Sequence, residues 1–121
     1  MPVWRTRPTE EQNTLTLEDW KILELQNGDR HLVGHCIENQ EGRVSSAIRN
    51  FDPGSLRFQT KAGRVYLLHG PPGINMDAEY VWARWAFVNS VSSWTDVTEV
   101  AWNKHLAVQR ARLPQEPRAN R

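Results

Sequence analysis

Five side chains in this sequence have the chemistry to ligate a metal or to act as base or nucleophile: His31, His35, Cys36, His69 and His105. His31 and His35 carry the four-residue spacing of a helical ligand pair. They fall, however, in RHLVGHCIE, which alternates like a strand, and four residues of strand span about 13 Å, too far for one ion. Cys36 then points away from the His35 face and reads as a small buried apolar group. The histidines read as ordinary half-buried or exposed side chains, and neither a metal nor a cofactor is expected. A small enzyme built on His35, His69 or Cys36 would need a fold that gathers them around one pocket.

His69-Gly70-Pro71-Pro72-Gly73 leads toward a helix, and a glycine-bearing loop in that place can offer backbone N–H groups to an anion. Two of its residues are prolines and lack that donor, and no Lys-Ser/Thr follows as a phosphate loop requires. The segment reads as a rigid strand-to-helix connector. Asp96 with Glu99, and Glu10 with Glu11, have nothing beside them that marks an acid–base pair. Ser45 and Ser46 lack the setting of a nucleophile elbow.

Arg49, Arg57, Lys61 and Arg64, with Tyr66 among them, fall on strands and turns that can share one outer sheet face. Cations interleaved with an aromatic suit single-stranded nucleic acid, and this is the alternative functional reading. Glu38, Glu41 and Asp52 dilute the charge there. The net charge is +1, and after Asn103 five cations (Lys104, Arg110, Arg112, Arg118, Arg121) oppose only Glu116. A mildly acidic body with a basic tail is not the profile of a dedicated nucleic-acid-binding domain.

Six tryptophans are a large aromatic load for 121 residues. Trp82 and Trp85 lie three apart on the best helix of the chain, so one of them can look outward. Exposed Trp beside Arg84, with Trp94 and Trp102 adding surface, has the composition of a protein-binding hot spot. The leading reading is a non-enzymatic module that binds a protein partner, or itself as a homodimer, through Trp82, Arg84, Trp85, Trp94 and Trp102.

The elements that must position these groups follow from periodicity. Thr14–Gln26 carries a capping-box signal at Thr16 and Asp19 and an apolar run behind it, giving a short turn or helix and then a strand over Trp20–Gln26. Asn27-Gly28 marks a type I′ hairpin turn. Strands are expected over 30–38, 43–51, 56–60 and 64–69, divided by NQEG, DPGS and KAG turns. Neighbours in such a meander run antiparallel. A helix is expected over 77–89, with Asp77 and Glu79 in its first turn and Val81, Trp85 and Val88 on its core stripe beside Ala78 and Trp82. Ser93 with Asp96 could cap a helix through Val97, Val100 and Ala101, but Thr95, Val97, Thr98 and Val100 are β-branched and favour a strand over 92–102, with room for a short helical piece from Asn103 to Arg112.

The fold class predicted is α+β: a small twisted antiparallel sheet of about five strands, able to curl into a barrel, packed against one main helix. The length fits one domain at 14–108, with a flexible arm at 1–13 and a disordered basic tail at 109–121. A single cysteine excludes an internal disulfide and suits a reducing compartment. No run of about 18 apolar residues predicts a membrane span, and no apolar signal core opens the chain. A cytoplasmic location is expected.

Overall fold

The structure, a computed structural model, describes residues 14–113. The arm expected at 1–13 and the tail from 114 onward lie outside them. The chain runs β1 (Thr14–Leu25), β2 (Arg30–Cys36), β3 (Glu41–Val44), β4 (Ile48–Asp52), β5 (Arg57–Thr60), β6 (Val65–Leu68), α1 (Met76–Val88), β7 (Trp94–Asp96) and α2 (Thr98–Arg112). The class is α+β, with a mixed sheet of seven strands and two helices.

The strand order is β3-β2-β1-β6-β5-β4, with β7 also on β1. The expected meander holds within each half, but β6 returns to lie parallel to β1, Thr14 opposite Val65 through Leu17 opposite Leu68. The stretch expected as one strand over 43–51 is two, and their three-residue link joins the opposite ends of the strand path. So short a connection forces the sheet to curl round. Lys61 N–H donates to the Ala47 carbonyl at 2.8 Å, carrying the β4–β5 ladder one step into the link, but β3 and β4 do not pair and the sheet stays open.

β1 is the spine. It has no initial helix and runs as strand for twelve residues. Trp20 and Asp19 together face Gly34, a bulge with Asp19 at φ +49°. The extra residue shifts the side-chain parity by one. Leu15, Leu17, Trp20 and Ile22 therefore all point to the concave core with Leu32, Phe58, Tyr66 and Leu68. Leu23 points to the other side, with Val33 and the helix α1. The two hairpin turns share one construction. Gly28 and Gly63 each sit at φ +94°, third in a three-residue loop whose flanking residues (Leu25 and Asp29, Thr60 and Arg64) are hydrogen-bonded. Gln26 enters the first loop, so Asn27-Gly28 is not the two-residue I′ turn expected; only the last position needs positive φ.

α1 lies against β2 and β3. Asn75 caps it, its Oδ1 accepting from Ala78 N–H at 2.9 Å. The approach at β3 is close enough that a Cβ on Gly42 would stand 2.5 Å from Ala78 N. The buried stripe is Ala78, Trp82 and Ala86, with Trp85 beside it. Val88, expected on that stripe, is exposed.

The stretch 92–102 is only briefly a strand. Val97 N–H still bonds to Ile22 O at 3.0 Å, but at the next residue the Thr98 hydroxyl accepts Ile22 N–H at 3.0 Å. A side chain thus replaces the backbone partner, and Thr98 N–H turns to Asp96 Oδ1 at 2.9 Å. The backbone is released to begin α2, which lays Ala101 and Trp102 on the concave core, starts five residues before the helical piece considered from Asn103, and runs through Arg112.

Candidate functional site

The predicted aromatic site divides. Trp82 is 3% exposed and Trp85 half-buried, their rings stacked at 5.1 Å and 18°. His31 enters from β2, its ring 4.7 Å from that of Trp85 and its Nδ1 2.8 Å from Ser45 O, which fixes that nitrogen as the donor. Trp94, 42% exposed, stands nearly perpendicular to Trp82 at 5.2 Å. These three tryptophans hold α1 to the sheet. Trp102 is on the other side of the molecule, half-buried between Trp20 at 6.1 Å and His105 at 5.2 Å. Arg84 is exposed on α1. The five residues do not form one surface.

The basic set divides as well. Tyr66 is 1% exposed, and its hydroxyl accepts from Arg43 Nε at 2.9 Å. Arg64 is buried too. Arg49 and Arg57 are exposed, and Lys61 pairs with Asp29 at 3.3 Å. The aromatic that was to stack on bases thus faces the core rather than the outer face of β6.

The histidines are dispersed. His35 Nδ1 contacts Glu18 Oε2 at 3.0 Å, His105 Nδ1 donates to Pro53 O at 2.7 Å, and His69 is exposed after β6. Cys36 is on the core side, 3.7 Å from Glu38, and burial pushes its thiol above the ordinary value, which disfavours the thiolate a nucleophile needs. Among the described residues no three His, Cys, Asp or Glu side chains gather as a metal site. No helix there is long and apolar enough to cross a membrane.

The most distinctive surface is the outer face of α1. Met76, Tyr80, Ala83 and Phe87 are four, three and four residues apart, which at 3.6 residues per turn places them in one stripe. Met76 is 77%, Tyr80 64% and Phe87 84% exposed. Ile74 and Val88 extend the same apolar exposure at the two ends. The opposite side of this helix is already buried on the sheet, so α1 is apolar on two faces, whereas a helix covering one core needs one. Beside the stripe, Tyr80, Val81, Asp77 and Arg84 form one wall of a cleft of about 520 Å³ whose other wall is the edge strand β3, Glu41 to Val44.

Sequence reading missed Met76, Tyr80 and Phe87. Their spacing of four and seven residues, with Ala83 between, was the available signal, but tryptophan outweighs it when one stripe must be chosen for the core.

The chain matches no protein-family model, no curated protein and no solved structure.

Proposed function

We propose that this protein is a non-catalytic interaction module that binds a protein partner through the outer face of α1. The observation that carries this reading is the exposed stripe of Met76, Tyr80 and Phe87 on a helix whose other face is already packed. Large apolar side chains aligned in this way cost solvation free energy in the free protein and recover it on docking. Tyr80 supplies a rigid aromatic with a polar tip, and Arg84 stands on the flank, both favoured at binding hot spots. Trp82 and Trp85 serve as the platform that holds this face, and Trp94 packs edge-on against Trp82 behind it.

The test is a photocrosslinking aromatic amino acid placed at Phe87 in the full chain and, as a control, at Arg49 on β4. Expected is a discrete protein adduct from position 87, absent from position 49 and lost when Tyr80 is changed to Glu. No adduct of any mass from position 87 would sink the reading.

A further inference from the structure

We infer that the partner of this face is a second copy of the chain, bound with the two α1 helices antiparallel about a twofold axis passing between Tyr80 and Val81. The inference rests on the interaction-module reading and names its partner. It comes from the charges beside the apolar stripe. Asp77 and Arg84 are seven residues apart, two turns, so they lie on the same flank of the helix about 10 Å from each other. Both are exposed, and among the described residues neither has an ion-pair partner. In an antiparallel pair of helices each flank meets the same flank of the other copy. Asp77 then stands opposite the partner's Arg84, and Arg84 opposite the partner's Asp77, both pairs satisfied by one axis.

The apolar stripe obeys the same symmetry. Tyr80 lies at the axis, and the Phe87 end meets the Ile74 and Met76 end of the other copy. A parallel pair would instead set the Asp77 flank against the opposite one, where Glu79 lies at a similar height and is already engaged by Lys21. Like charge would face like.

The area is sufficient. Aromatic side chains such as Tyr80 and Phe87 bury roughly 150–250 Å² each, and with Ile74 and Met76 also exposed the apolar groups of one copy reach several hundred Å². Two copies then bury about 1,000 Å², the lower bound for a specific interface. Because the surface is complementary to itself, the contact closes as a dimer and does not propagate.

The experiment uses the full chain and measures mass by sedimentation over a concentration series. Four variants accompany it, D77R, R84D, the double exchange D77R/R84D, and F87E, each checked for a wild-type circular dichroism spectrum and thermal midpoint. The expected wild-type mass is that of a dimer. Either single reversal sets like charges against each other twice and weakens dimerisation roughly ten-fold. The double exchange restores it, as does mixing D77R with R84D, and F87E abolishes it. A chain that is monomeric up to its solubility limit overturns the dimer. If position 87 then still yields an adduct with a different protein, the module reading stands without it; with no adduct, both fall. A dimer indifferent to F87E and to both single reversals uses another surface and also overturns the proposal.

Discussion

Arg43 Nε donates to the Tyr66 hydroxyl at 2.9 Å, although Arg43 is on β3 and Tyr66 on β6 with two strands between them. The bond spans the concave side of the sheet and is available only because the sheet curls. The guanidinium also lies over the Tyr66 ring, 5.9 Å from its centroid. Tyr66→Phe keeps the ring and removes one acceptor from a buried cation. It is expected to cost about 1.5–3 kcal/mol, the range for hydrogen bonds to charged groups. A urea midpoint series against wild type reads this, and an unchanged midpoint would show that the bond contributes nothing.

Two buried indoles differ in how their N–H is served. Trp20 Nε1 donates to Gly70 O at 3.0 Å, whereas Trp82 Nε1 has no partner among the described residues. Both rings are sealed from solvent. Replacement by Phe removes similar volume at each site, but at Trp20 it breaks a hydrogen bond, whereas at Trp82 it removes a buried N–H that has no partner among the described residues. Trp20→Phe is expected to be more destabilising than Trp82→Phe by about 1–3 kcal/mol. Equal losses in thermal or chemical unfolding would count against the difference.

Gly42 and Gly54 separate backbone contact from side-chain contact. A Cβ at Gly42 meets Ala78 N and Asp77 C at 2.5 Å, the first turn of α1. At Gly54 it meets the Arg112 guanidinium at 2.8 Å, the end of a flexible side chain. Gly42→Ala must push α1 off β3 and is expected to cost about 1–3 kcal/mol, with a changed near-ultraviolet signal from the Trp82–Trp85 stack. Gly54→Ala should stay within about 0.5 kcal/mol of wild type.

Acid should weaken the fold partly through Glu38. Burial acts to raise its carboxyl, but Thr16 N–H and hydroxyl, each at 2.7 Å, outweigh it and hold the carboxyl below the usual range. A carboxylate depressed in the folded state stabilises above its unfolded pKa, and that contribution is lost as pH falls through the folded one. Asp52 behaves alike, held down by the Ser55 hydroxyl and Gly54 N–H. Glu38→Gln should therefore flatten the fall in stability below about pH 5 and lower stability at neutral pH by less than about 1 kcal/mol, since the group is largely exposed. An acid limb identical to wild type would contradict this.

Much of the architecture was legible locally. The strands at β2, β5 and β6 and the turns around Gly28 and Gly63 follow from alternation and from the need for positive φ. The helix over 77–89 begins one residue earlier, on Asn75, and ends one earlier. At 92–102 local preference misleads. Val97 and Thr98 favour strand, and the chain does pair there until the Thr98 hydroxyl takes over the hydrogen bond of Ile22. Nothing in 92–102 specifies that bond, because its acceptor and donor are 76 residues apart. In the basic set, alternation alone could not tell that Tyr66 faces Arg43 and the core.

By itself the sequence determined the α+β class, the hairpin sites, the amphipathic helix and the aromatic load, because these depend on periods of two and 3.6 residues and on the φ requirements of single positions. The tertiary structure decided which aromatics are spent on the core. The bulge at Asp19 sets which face of β1 is concave, the short link at 45–47 curls the sheet, and Gly42 lets α1 sit close on β3. Those long-range contacts turn Trp82 and Trp85 inward. They leave Met76, Tyr80 and Phe87, on the same helix, facing water between Asp77 and Arg84 on one flank and the engaged Glu79 on the other. Helical periodicity marks two apolar stripes on α1, and only packing distinguishes the one that is already used.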